Sequence, residues 1–220
     1  YLEDDDIIIS TDDVTGTFTL TAGGAITEWD SGMVSSSGDM DAVIKAQSSD
    51  GGTYYDITLG SVAASNFDTV SVIGKAVTLV DAGAIDLGAS TVTETYAVTA
   101  TASGDITNSG VLDISGNATF TAAAGQQVIL GSDNIFGGTV TFSTVGDTGS
   151  LKNVTVTDTT TLDLTALTLA QVSSAGGNLT VTAGGALTDT GPLIIPGTTT
   201  ITATGQTVEL DNTLNNFATI

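Results

Sequence analysis

The sequence predicts an all-β chain coiled into a β-solenoid, and three observations lead to this prediction. First, 41 of the 220 residues are Thr and 27 are Gly, whereas only two are Pro. Thr is β-branched and favours strands, and Gly favours turns. Second, short runs of residues alternate between apolar and polar side chains. Third, the alternating pattern recurs along the chain at fixed intervals.

The alternating runs predict short strands with one buried face. Clear examples are 17–21, 153–157 and 178–182, where every second residue is apolar. Period two over four to six residues is the strand signature, and clusters of Gly, Asn, Asp and Ser between the runs predict turns. The segment from Met40 to Lys45 is the one place where a helix is considered, and it predicts one helical turn at most.

Internal repeats are the strongest signal. A shift of 81 residues places Ile106 on Leu187 and Leu112 on Leu193, and a shift of 77 places Asp86 on Asp163. We therefore predict three imperfect units of about 70 to 80 residues within a single solenoid domain, 1–220. A finer step of about 20 to 22 residues predicts coils of about 20–28 residues whose strands stack in parallel.

The apolar positions of these strands predict the core. Inward-pointing side chains would form columns along the solenoid axis, and outward Thr side chains would form columns on the surface. The residues expected to point inward are Ile106, Leu112, Ile114, Phe120, Val128, Leu130 and Phe136.

Composition excludes several functional classes. The chain has 25 acidic residues and three Lys, a formal net charge of −22, and no Arg, His or Cys. Nucleic-acid binding needs cationic side chains against phosphate, so it is excluded. Cys nucleophiles, His general bases and His or Cys zinc sites are excluded because the residues are missing. No apolar run approaches the roughly 18 residues of a membrane-spanning helix, so membrane insertion is not expected.

The stretch NLTVTAGG over 178–185, followed by ALTDTGPLIIPGTTTITATGQTVELDN over 186–212, carries a family resemblance. It resembles the repeat region of filamentous-haemagglutinin-type bacterial exoproteins, and autotransporter-like adhesins carry similar repeats. The resemblance covers roughly residues 57 to 220. It implies a right-handed parallel β-helix, secretion, and a role at the bacterial cell surface or in the matrix. It implies no catalytic residue and no cofactor.

An irregular insertion within 27–56 is the main candidate for a binding loop. The interval from Ile26 to Ile57 is 31 residues, about nine more than its counterparts. Loops on a rigid solenoid are where binding is usually grafted. The alternative is a surface excursion whose aromatic side chains cover a coil. The binding-loop candidates are Trp29, Met33, Tyr54 and Tyr55. A smaller loop is predicted at 145–153, with a polar hairpin tip over 145–150.

Acidic residues near the start are weak candidates for a metal site. Calcium takes six to eight oxygen ligands, which clustered carboxylates can supply. No calcium-loop motif is present, and a solvated acidic end is the favoured interpretation. The candidate ligands are Glu3, Asp4, Asp5, Asp6, Asp12 and Asp13.

Two further patterns are considered. Asp86 and Asp163 share a repeat position, but each stands between inward apolar residues and is expected to point outward, several coils from the other, so an acid and base pair is not expected. Thr-x-Thr pairs at 155 and 157, 180 and 182, and 188 and 190 resemble ice-binding ladders. Such ladders need every pair in register on one face, whereas these pairs are expected on different faces.

We therefore expect a structural or adhesive segment rather than an enzyme. It would act as a stiff extracellular rod that presents loops to host or cell-surface ligands, with adjacent solenoid repeats as its neighbours. The alternative is a filament subunit that stacks head to tail on copies of itself through open solenoid ends. Because Asn216 to Ile220 match the start of a unit, the chain is expected to be an excerpt with an open last coil.

Overall fold

A computed structural model describes residues 7–9, 16–28, 40–60, 65–171 and 176–220. These residues form 23 β-strands and one 3-10 turn, Val145–Asp147. The segment Met40–Ala46 is a strand, so the helical turn considered there is wrong. Within the described residues, the structure has no helix that is long and apolar enough to span a membrane.

The strands form two parallel sheets that run along the solenoid. The first sheet has ten strands: β1 (Ile7–Ile9), β3 (Ile26–Glu28), β5 (Ile57–Leu59), β7 (Val77–Asp81), β10 (Tyr96–Ala100), β13 (Ala118–Ala122), β15 (Thr139–Thr144), β17 (Leu162–Leu164), β20 (Leu187–Asp189) and β22 (Val208–Glu209). The second sheet has thirteen: β2 (Gly16–Ala22), β4 (Met40–Ala46), β6 (Thr69–Gly74), β8 (Ile85–Leu87), β9 (Ser90–Val92), β11 (Ile106–Asn108), β12 (Leu112–Ile114), β14 (Val128–Phe136), β16 (Val154–Asp158), β18 (Leu167–Thr168), β19 (Leu179–Ala183), β21 (Leu193–Thr202) and β23 (Asn216–Thr219).

The chain passes between the two sheets once per coil. Strand partners in the first sheet are Ile57 with Val77, Val77 with Tyr96, and Tyr96 with Ala118, which are steps of 20, 19 and 22 residues. The long step from Ile26 to Ile57 is also a register pair, and β4 within it joins the second sheet. These pairings confirm the predicted parallel β-solenoid with its coils of about 20 residues or more.

Apolar columns fill the space between the sheets. All seven residues predicted to point inward are buried, which confirms the predicted strand register. Phe120 lies at the centre of an aromatic group, with ring centroids 6.1 Å from Tyr96, 6.2 Å from Phe136 and 5.9 Å from Phe142. The core continues without interruption from Ala22 in β2 to Ile195 in β21.

Repeated glycines allow consecutive turns to stack closely. A Cβ atom added to Gly110 would lie 2.0 Å from the backbone nitrogen of Ala89, in the coil before. Its repeat counterpart, Gly191, has Ala166 N at 2.5 Å from the same added atom. Both contacts are far inside van der Waals distance, so these turn positions exclude any side chain.

Candidate functional site

The described part of the first candidate loop, residues 47–56, is a closed turn. Ser48 N donates to Thr53 O at 2.8 Å, and Ser48 Oγ donates to Asp50 Oδ1 at 2.6 Å. The Ser48 hydroxyl and then the Gly52 amide lower the pKa of the exposed Asp50 carboxyl. Tyr54 forms an antiparallel bridge with Gln47.

The two tyrosines of this loop are half-buried. Tyr55 packs against the core, its amide donates to Ala46 O at 2.9 Å, and its carbonyl accepts from Lys75 N at 2.8 Å. Tyr55 therefore covers a coil, as the alternative interpretation expects. Trp29 and Met33 lie outside the described residues.

The second loop, 145–153, connects β15 of the first sheet to β16 of the second. No antiparallel strand pair flanks it, so the predicted hairpin tip is wrong. A single 3-10 turn takes its place, with φ of 66° at Gly146 and 52° at Asp147. A change of sheet requires a bend of the chain rather than a reversal, which accounts for the difference.

The carboxylates singled out as metal or catalytic candidates do not come together. Glu3, Asp4, Asp5, Asp6, Asp12 and Asp13 lie outside the described residues. Within the described ranges, no three acidic side chains are placed to hold a metal ion. Calcium binding therefore stays a prediction.

Asp86 and Asp163 both point outward, as expected, but from different sheets. Asp86 accepts hydrogen bonds from Thr107 Oγ1 at 3.0 Å and from Ser109 Oγ, and Asp163 accepts one from Thr188 Oγ1 at 3.1 Å. Each carboxylate thus binds hydroxyls of the following coil. An open groove of about 510 Å³ between Asn117 and Asp163 has Asp163 as its one ionisable lining residue.

Two buried carboxylates were missed by sequence reasoning. Asp81 is fully buried and accepts from Phe67 N at 2.7 Å and Gly83 N at 2.8 Å. Burial outweighs these two bonds and raises the pKa of Asp81 to about 6. Asp158 is 1% exposed, and burial raises its pKa as well. Its Oδ1 accepts from Thr160, but its Oδ2 is buried without a hydrogen-bond partner.

The alternating pattern could have located both carboxylates. Each is the last residue of its strand, two positions beyond an inward apolar residue, and a period of two therefore points it inward. Both serve the turn that follows, because both accept amide hydrogens from residues two positions later. They are structural groups within the core rather than parts of an open site.

The outward Thr side chains form two regular surfaces. The first threonine face is the outer surface of β5, β7, β10, β13 and β15, and its outward residues are Thr58, Thr78, Val80, Ala97, Thr99, Thr119, Thr121, Thr139, Thr141 and Ser143. The second threonine face is the outer surface of β11, β16, β19 and the adjoining halves of β14 and β21, and its outward residues are Thr107, Ile129, Thr155, Thr157, Thr180, Thr182, Thr200 and Thr202.

Three Thr-x-Thr pairs are in register on the second threonine face. Thr155, Thr180 and Thr200 are successive partners, and so are Thr157, Thr182 and Thr202. The expectation that the pairs at 155 and 180 fall on different faces is therefore wrong. Its physical cause is the change of coil geometry after β15, which the coil lengths did not reveal. The pair at 188 and 190 does belong to the first sheet, where β20 ends at Asp189.

Comparison with known proteins identifies the repeats. A family model described as "Repeats of unknown function (DUF5649)" matches residues 1–73, 74–143 and 151–220. The chain belongs to this family. The three matches confirm the predicted number and size of the repeats. Searches among curated proteins and among solved structures found no match.

Each DUF5649 repeat advances the solenoid by three and a half coils. From Val77, at the start of the second repeat, three steps within the first sheet lead to Tyr96, Ala118 and Val140. Val154, at the start of the third repeat, follows half a coil later in the second sheet. Equivalent strands of successive repeats consequently lie in opposite sheets. The first threonine face belongs mostly to the second repeat and the second threonine face mostly to the third.

Proposed function

We propose that this chain is a structural segment of a secreted bacterial cell-surface or matrix protein, in which it acts as a stiff rod that presents loops for binding. The resemblance to filamentous-haemagglutinin-type and autotransporter-type adhesins supports the cellular role. The continuous core from Ala22 to Ile195 is the observation that carries the mechanical role. Each repeat contacts its neighbours through strand ladders, so bending the rod would break parallel hydrogen bonds.

The rod proposal makes a quantitative expectation about length. Ten strands of the first sheet at about 4.8 Å per step give a rod of roughly 43 Å over nine steps. A chain extended by one further copy of residues 74–150 should lengthen by about 17 Å, which is three and a half coils, at unchanged cross-section. Small-angle X-ray scattering measures both dimensions. An added repeat that widens the particle or leaves its length unchanged would contradict a rod.

Presentation of a binding loop has its own test. Chains with Tyr54→Ser, or with loop 47–53 replaced by a short Gly-containing turn, should keep the melting temperature and lose adhesion to the native target cells. Thr148→Ser in the second loop is the matched control, since it keeps its exposed position and hydroxyl. Equal adhesion by all three chains would assign binding elsewhere. Surface labelling of intact cells with an antibody to the chain tests the location independently.

A second function, a filament subunit that stacks head to tail, is favoured by one observation. The last described coil carries exposed apolar side chains, among them Val208 at 43%, Leu214 at 69% and Ile220 at 76% exposure. Strands β22 and β23 each pair on one side. A copy of the chain could continue both sheets at that edge. Val208→Lys should then abolish filaments seen by electron microscopy, and filaments that survive it would contradict stacking at this coil.

A further inference from the structure

The two threonine faces are uncharged, although the chain carries a net charge of −22. No Asp, Glu or Lys occurs among the outward residues of either face. Acidic side chains stand around them instead, at Glu94 and Asp105 in turns, and at Asp86 and Asp163 where the faces end. A centre without charge and a polar rim are the compositional pattern of protein interfaces.

The faces are also ordered before any partner arrives. Thr121 and Ser143 hydroxyls are 2.8 Å apart, and Thr165 Oγ1 donates to Thr141 Oγ1 at 3.0 Å, so neighbouring coils hold each other's side chains. Thr has one restricted torsion, and little side-chain entropy is lost when such a surface is covered. Both faces repeat at the spacing of parallel strands, about 4.8 Å, and they therefore match each other in period.

From these observations we infer that the threonine faces are sites of lateral self-association, and that the occupant is a second copy of this chain. Two molecules of the same strong negative charge can approach most closely where neither carries a carboxylate. Matching periods allow the Thr rows of one face to pack between those of another, as in sheet-on-sheet packing. A cationic partner would instead select the acidic rims.

The half-coil offset between repeats determines the form of the assembly. Because the faces of the second and third repeats point to opposite sides, each molecule has two contact surfaces that cannot meet the same neighbour. Contacts on opposite sides propagate instead of closing into a dimer. Longer chains of these repeats would present faces alternately on both sides, and rods would associate side by side into layers. This lateral contact is separate from both the rod and the head-to-tail proposals.

The size of one face shows that a single contact is weak. Five strands at about 4.8 Å, each exposing about 17 Å of length, give roughly 400 Å² per face. Stable interfaces bury about 800 Å² per partner. Association should therefore need high protein concentration in this chain, and should strengthen when screening salt reduces the repulsion between molecules. Several faces in one longer chain would add their contacts.

Sedimentation equilibrium of the whole chain tests the inference. At millimolar concentration and high salt, the weight-average mass should exceed twice the 21.8 kDa of the monomer, and it should fall at low salt. Thr180→Glu on the second face, or Thr119→Glu on the first, should limit association to a dimer at most. The double variant should be monomeric. Ser103→Glu adds the same charge in an exposed turn and should associate like the parent chain.

Each outcome decides the matter. A parent chain that stays monomeric at every concentration and salt level overturns the inference, and so does association that both face variants leave unchanged. If Val208→Lys alone abolishes association, the contact is head to tail and the faces are not sites. Circular dichroism melts of every variant separate a lost contact from a lost fold, and Thr180→Ser, which keeps the hydroxyl, should associate normally.

Discussion

Leu79 and Val156 occupy the same position in successive repeats, 77 residues apart, yet they point into the core from opposite sheets. This relationship follows from a repeat length of three and a half coils. A repeat with a whole number of coils would place both residues in one column. The half-integral value therefore turns a simple tandem repeat into a rod with two equivalent sides.

Engineered disulfides offer a direct check of this arrangement, because the chain has no Cys of its own. Thr155 and Thr180 are partners in adjacent strands, with Cα atoms expected about 4.8 Å apart, and Cys at both positions should cross-link on oxidation. Thr78 and Thr155 are repeat equivalents in opposite sheets, and Cys at these two positions should stay reduced within one molecule. Mass spectrometry after oxidation distinguishes the two cases, and the reverse result would place the repeats in one sheet.

The aromatic group around Phe120 should dominate the stability of the middle coils. Phe120 is fully buried and contacts rings from three other strands. Phe120→Ala should lower the free energy of unfolding by about 3–5 kcal/mol, because it leaves a cavity that the rigid ladders cannot close. Val111→Ala, at a position 41% exposed, should cost far less. Urea denaturation measures both, and equal losses would show that Phe120 does not anchor the core.

Sequence reasoning was sufficient for the core and insufficient for the faces. Period two in each strand determines which side chains point inward, so residues such as Phe120 and Leu130 could be assigned locally. The sheet to which a strand belongs depends on how many coils precede it. That number depends on small changes of turn length, as in loop 145–153, where the third strand of the coil changes side. Asp86 and Asp163 were thus correctly oriented but matched across opposite sheets.

Gly110 offers a test of the close stacking of turns. Gly110→Ala should destabilise the chain by several kcal/mol, since the added Cβ would lie 2.0 Å from Ala89 N and only backbone movement can relieve that contact. Gly131→Ala is the matched control, because an added Cβ there meets nothing within 4 Å and its φ is not positive. Thermal melts of the two variants should differ clearly. Similar melting temperatures would mean that the turns are not in contact.

Asp81 should make stability fall as pH rises from about 4 to about 6. Its pKa is raised to about 6 in the folded chain from 3.8 in the unfolded chain. In that window the folded state binds more protons than the unfolded state, so raising the pH favours unfolding. Asp81→Asn should reduce this slope in urea denaturation, whereas Asp113→Asn, at an exposed position, should preserve it. A slope that survives Asp81→Asn would assign the effect to other groups.

Asp158→Asn should stabilise the folded chain at neutral pH. Asp158 lies beside Asn134 in the strand ladder, and the Asn134 amide nitrogen donates to Thr157 O at 3.0 Å, in the coil of Asp158. The corresponding acceptor one coil further along is the carbonyl of Thr182, the register partner of Thr157. An amide nitrogen in place of the unpartnered Oδ2 could donate to it, while the remaining oxygen keeps its bonds from Thr160.

The gain from Asp158→Asn should be about 1–3 kcal/mol, the usual cost of a buried polar group without a partner. It should shrink at acid pH, because burial raises the pKa of Asp158 and the protonated carboxyl already avoids the charge. Urea denaturation at neutral and acid pH measures both effects, with Asp133→Asn on the exposed side of β14 as control. A loss of stability at neutral pH would show that the buried carboxylate is held by a partner that an amide cannot replace.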